Sequence, residues 1–228
     1  MLADLLSMAQ AAGRKNQGIL HTPCSFHEVI VNSSHKSERM SLMINKWIDL
    51  STEDNKSFSG YLALPPSGKG PAVVLIQEIW GVNPHIQALA ACYALAGFVV
   101  LAPDVFWRAA PRISLAYDAA GSAQAFECYE QLDTDQAAAD IALAVRLTRA
   151  LPVVCGKVAT LGYCLGGQLA YRGGIAGEAD AIVAYYGGGI DRHLDLASQL
   201  RQPALFHHAG KDSHISQEQV AAVKAAMV

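Results

Sequence analysis

From about Asn45 onward, short runs of apolar residues alternate with segments whose apolar positions recur at helical spacing. Ala72–Ile76 is an unbroken, largely β-branched run, the pattern of a strand buried on both faces. Phe98–Ala102, Val158–Gly162, Ala181–Tyr186 and Ala204–His207 repeat the pattern. Between them, helices are predicted over His85–Ala96, from a cap at Asp133 or Thr134 to about Ala150, over Leu165 to about Ile175, over His193–Leu200 and over Gln217–Met227. Lys46–Leu50 and Phe58–Leu64 form a hairpin around the turn-rich Thr52–Asn55. The stretch after Pro103, rich in Ala, Arg and Pro, is expected to be a long loop.

Strand and helix in alternation imply an α/β fold, with a mostly parallel sheet covered by helices on both faces. In such sheets ligands sit at the carboxyl ends of the strands. Residues 1–42 show no clean period and carry the polar cluster Asn32–Ser37, so they are expected to be an extension outside the domain 43–228.

Composition narrows the class. The 228 residues are 52% hydrophobic and 16% charged, which supports a sizeable core, and a net charge of −3 gives no footprint for nucleic acid. No apolar run is long enough to span a bilayer. Five cysteines, an odd number without a CxxC pair, point away from a disulfide framework or zinc knuckle and towards a reducing compartment, with the cytoplasm as the expected location. No dinucleotide fingerprint, phosphate loop or metal spacing occurs, so no cofactor and no metal are expected. The oligomeric state is not legible.

The loop after the third central strand reads Gly162-Tyr163-Cys164-Leu165-Gly166-Gly167. A nucleophile on a sharp strand-to-helix turn needs strained backbone angles, and side chains two residues to either side would collide; Gly162 and Gly166 remove them. Cys164 would stand at a helix N-terminus, where the dipole favours thiolate, and the Leu165 amide would serve as an oxyanion donor. A buried structural cysteine is the competing account. Glu78 directly follows an apolar strand, in Gln77-Glu78-Ile79-Trp80-Gly81-Val82-Asn83, where Ile79 would supply a second oxyanion amide. Asp212, in Gly210-Lys211-Asp212, falls where such folds place a triad acid, although it could equally cap the next helix. Arg108, in Pro103-Asp104-Val105-Phe106-Trp107-Arg108, could grip a substrate carboxylate or pair with Asp104 or another acid.

Together with Tyr185-Tyr186-Gly187 and Pro203–His207, these segments resemble the dienelactone hydrolases (carboxymethylenebutenolidases), cysteine members of the α/β-hydrolase fold. The resemblance implies hydrolysis of enol-lactones or related carboxylic esters, of the dienelactone-to-maleylacetate type in aromatic degradation. It implies Cys164 as nucleophile, Asp212 as triad acid and Glu78 as the carboxylate that helps to ionise the thiol. Ile79 and Leu165 would form the oxyanion hole, and Arg108 would bind the substrate carboxylate. A small-molecule lactone or ester is then the partner. The family's triad histidine lies after one more strand, which would fall past Val228, so the chain is expected to be truncated, without its last strand and helix. His214 stands in the same turn as Asp212 and is not expected to be the base. The alternative is a non-catalytic pseudo-hydrolase or inactive fragment. A glutaminase-like amidotransferase is disfavoured, because no late His-x-Glu pair occurs.

Overall fold

A computed structural model describes residues 44–51 and 57–227. The expected extension, the hairpin turn and the terminal valine lie outside the described residues. Among the described residues, seven strands make one sheet: β1 (Asn45–Ser51), β2 (Ser57–Ala63), β3 (Gly70–Ile76), β4 (Val99–Pro103), β5 (Val154–Tyr163), β6 (Ala181–Tyr185) and β7 (Ala204–His207). Their spatial order is β1-β2-β4-β3-β5-β6-β7. The hairpin β1–β2 and the β2–β4 pair are antiparallel, and every other pairing is parallel. This is the mostly parallel sheet that the alternation of elements predicts.

Among the described residues, five α-helices flank the sheet: α1 (Pro84–Leu95), α2 (Ala119–Glu130), α3 (Thr134–Ala150), α4 (Leu165–Ala176) and α5 (Gln217–Ala226). Their starts follow from short polar side chains that satisfy otherwise unpaired amides. Asn83 accepts from the Ile86 amide ahead of Pro84, Asp118 from Gly121, and Asp133 from both Asp135 and Gln136. Ser216 and Gln219 form a reciprocal capping box.

The pleat of β3 divides the core. Ala72, Val74 and Ile76 pack with α3 and the start of α4, whereas Val73 and Leu75 pack with α1 on the opposite face. Three expectations are corrected. The long loop after Pro103 contains α2, a helix whose weak apolar stripe leaves Phe126 and Tyr129 exposed. The strand expected over Val158–Gly162 is longer, β5 beginning at Val154 and so including Cys155. The segment expected to be a short helix from His193 is a 3-10 helix, Ile190–Gln199, kinked at His193.

Candidate active site

β5 ends at Tyr163 and α4 begins at Leu165, so one residue makes the whole turn. That residue is Cys164, with φ +55° and ψ −118°. Such angles strain any residue with a Cβ, and they concentrate at functional sites. The Cys164 amide is anchored to the Tyr185 carbonyl at 3.0 Å, which ties the turn to β6. The glycines on either side are required by backbone contact. A Cβ on Gly166 would lie 2.4 Å from the Ile76 carbonyl oxygen and 2.5 Å from that of Gln77. The N-terminus of α4 is thereby pressed against the end of β3, and the 77–83 loop leaves β3 beside the sulfur.

Three forces act on the Cys164 thiol. Burial pushes its pKa up; the Leu165 amide, hydrogen-bonded to it, pulls down; the charges of Glu78 and Asp212 push up again. The net direction is upward. The expectation of a helix-favoured thiolate is corrected here: desolvation, followed by the two carboxylates, outweighs the Leu165 amide.

Glu78 has a donor on each oxygen. Tyr117 Oη donates to Oε2 at 2.6 Å and Tyr186 Oη to Oε1 at 3.3 Å. Tyr186 directly follows β6 and holds φ +38°, a strained setting that its amide bond to the His207 carbonyl, 2.7 Å, helps to maintain. Burial first, and then the Glu78 charge, raise the pKa of Tyr186. Asp212 is partly buried, and its Oδ1 accepts from the amides of His214 and Ile215 at 2.8 and 3.1 Å. It therefore caps the turn before α5 while its charge also reaches Cys164 and His208.

The structure thus brings Cys164, Leu165, Glu78 and Asp212 to the carboxyl ends of β3, β5, β6 and β7. Ile79 is buried in the loop beside them. Arg108 is placed differently. Its guanidinium pairs in bidentate fashion with the nearly buried Asp140 of α3 and lies over the Trp107 ring, whose Nε1 donates to the same carboxylate at 2.9 Å. Asp104, the other acid considered for it, instead accepts from the amides of Phe106 and Arg112. Sequence reasoning missed Tyr117, hidden in a stretch without a period. It quoted Tyr186 only as part of a motif.

Comparison with known proteins decides the family. Residues 58–228 match the model of the dienelactone hydrolase family. The chain belongs to that family. It is 33% identical over 177 residues to carboxymethylenebutenolidase 1 of Cupriavidus pinatubonensis, a match that covers 77% of this chain and 76% of that one. It is 34% identical to the carboxymethylenebutenolidase of Pseudomonas sp. strain P51, covering 77% and 74%. Among solved structures, a dienelactone hydrolase-like promiscuous phosphotriesterase from metagenomic libraries superimposes with a TM-score of 0.67 at 25% identity, covering 81% of this chain and 76% of that one. The α/β-hydrolase fold and a hydrolase acting on carboxylic esters follow for this member of the dienelactone hydrolase family. Among the described residues, no helix is long and apolar enough to cross a membrane.

Proposed function

We propose that this enzyme hydrolyses enol-lactones and related carboxylic esters, of the dienelactone-to-maleylacetate type, through Cys164 as nucleophile. One observation carries the reading: Cys164 forms a one-residue elbow at positive φ between β5 and α4, with the Leu165 amide on its sulfur and two carboxylates felt at the thiol. The substrate class is drawn from the carboxymethylenebutenolidases that the chain resembles.

In this reading the thiol proton passes to Glu78 as the sulfur attacks the lactone carbonyl. A C–S bond forms, and the carbonyl π pair moves onto oxygen, where the amides of Leu165 and Ile79 stabilise it. Collapse breaks the ring C–O bond. The leaving group is an enolate, which takes a proton and becomes a ketone. Water then adds to the thioester, the C–S bond breaks, and the sulfur recovers a proton. Asp212 takes the triad-acid place that the resemblance implies, with its charge felt at both Cys164 and His208. Arg108 takes the substrate carboxylate, for which that carboxylate must compete with Asp140.

Turnover of an enol-lactone, followed by loss of its conjugated absorbance, tests the proposal. Cys164→Ala is expected to reduce turnover to background. Undiminished turnover by that variant would overturn it.

A further inference from the structure

Gln77 is the first residue past β3, and it is fully buried although its side chain ends in a carboxamide. Burying such a group is costly unless both of its ends find partners. Here they do. The Val105 amide donates to Gln77 Oε1 at 3.2 Å, and Gln77 Nε2 donates to the Glu78 carbonyl oxygen at 3.2 Å. The two bonds fix the sense of the group, since a backbone N–H can meet only its oxygen and a carbonyl only its nitrogen. The anchor is itself held. Val105 and Phe106 are buried after β4, and the buried Asp104 accepts from the amides of Phe106 and Arg112, which pins the turn. The main chain of Gln77 is confined as well, because its carbonyl oxygen lies 2.5 Å from where a Cβ on Gly166 would be.

Sheet order gives these bonds a direction. β3 lies between β4 and β5. Val105 follows β4, and Cys164 follows β5. The Gln77 carboxamide, anchored on Val105, therefore draws the Glu78 carbonyl towards the β4 side. A trans peptide is planar, with its C=O and N–H pointing in opposite directions, and the peptide from Glu78 to Ile79 is trans. Its other end is the Ile79 N–H, which is thereby turned to the β5 side, where the sulfur stands. Among the described residues that amide makes no backbone hydrogen bond.

We infer that Gln77 is a positioning residue: its carboxamide holds the peptide between Glu78 and Ile79 so that the Ile79 N–H faces the carbonyl oxygen that Cys164 attacks. This rests on the reading of Cys164 as nucleophile, and Gln77 itself touches no reacting atom. A fixed donor at that oxygen acts most strongly in the transition state, because charge gathers there only as the C–S bond forms. Gln77 therefore governs kcat rather than KM.

The test compares the unaltered protein with Gln77→Met and Gln77→Leu. Both replacements are apolar and lose the two hydrogen bonds; they differ in shape, and either one that folds, as read by thermal unfolding, decides the matter. Two properties are measured: kcat and KM on an enol-lactone, and the rate of Cys164 alkylation by iodoacetamide, located by mass mapping. Alkylation displaces iodide and builds no charge on a carbonyl oxygen, so it reports the cysteine turn and not the oxyanion donors. The expected result is a fall in kcat of roughly ten- to a hundredfold, somewhat less than the loss of a whole oxyanion donor. KM and the alkylation rate are expected to stay within about threefold of the unaltered protein, the pattern of an interaction made only in the transition state. A folded variant with unchanged kcat overturns the inference, as does one whose loss in kcat is matched by slower alkylation or by an equal rise in KM. Either result leaves the nucleophile reading standing if Cys164→Ala has lost turnover; full turnover by Cys164→Ala removes that reading whatever Gln77 does.

Discussion

Gly162 and Gly166 touch backbone to backbone across the Cys164 turn: a Cβ on Gly162 would sit 1.9 Å from the Gly166 carbonyl oxygen. Nothing flexible lies between them, so a methyl group can be accommodated only by moving the start of α4. Gly162→Ala is expected to destabilise the protein by about 1–3 kcal/mol or more, the range for overpacking a rigid site. Gly210→Ala, where an added Cβ meets nothing within 4 Å, is expected to change stability by less than about 0.5 kcal/mol. Thermal unfolding of the two variants distinguishes them, and equal Tm values would contradict the contact.

The Cys164 thiol predicts an alkaline loss of stability. Its pKa is raised in the folded protein, by burial first, so the fold retains a proton that the unfolded chain gives up. The contribution is complete below the unfolded thiol value, about 8.5, and is lost as pH rises through the folded value. Denaturant unfolding between about pH 7 and pH 10 should show a decline that is shallower in Cys164→Ala. Parallel curves would remove Cys164 as its source.

Two histidines predict a loss on the acid side. Burial lowers the pKa values of His207 and His208, and His207 Nε2 and His208 Nδ1 are buried without hydrogen-bond partners among the described residues. Here the unfolded chain binds the extra protons. Stability is therefore full above the unfolded value, about 6.5, and falls as pH drops towards the folded values. His207 lies flat on Tyr185, with ring centroids 4.3 Å apart, so His207→Phe preserves the stack. That variant should lose less stability between about pH 7 and pH 5 than the unaltered protein does. An unchanged slope would exclude His207.

Arg108 and Asp140 separate a binding role from a structural one. If Arg108 holds a substrate carboxylate, Arg108→Ala should raise KM for anionic lactones roughly ten- to a hundredfold more than for neutral esters. Asp140→Ala leaves Trp107 Nε1 and the guanidinium without their shared acceptor. It should cost about 1–3 kcal/mol of stability. Equal losses on both substrate types in Arg108→Ala would assign the arginine to the fold alone.

How much of this was legible in the sequence depended on the length scale of the cause. The β-branched runs of β3 and β4 and the spacing Gly162-Tyr163-Cys164-Leu165-Gly166 are local, and they located the sheet and its sharp turn. α2 was invisible because most of its residues face solvent, only Gly121 and Ala125 being buried, although its cap at Asp118 was there to be found. The raised thiol could not be read from the motif, since helix polarity is a local property whereas burial and the charges of Glu78 and Asp212 come from segments far apart in the chain. The bond between Tyr117 and Glu78 spans 39 residues, and that between Tyr186 and Glu78 spans 108; neither leaves a periodic trace. Arg108 had its alternative named correctly as an ion pair with an acid, but the acid proved to be Asp140, on a helix further along the chain.

The protonated resting state of Cys164 bears on the chemistry of oxygen. Peroxides attack thiolates, and the path from sulfenic to irreversible sulfinic and sulfonic acids begins only where sulfur carries charge. A sulfur held neutral by burial and by two neighbouring carboxylates is shielded from that path between turnovers. With Cys164 as the proposed nucleophile, oxidative inactivation would be expected chiefly during catalysis, when the sulfur is ionised.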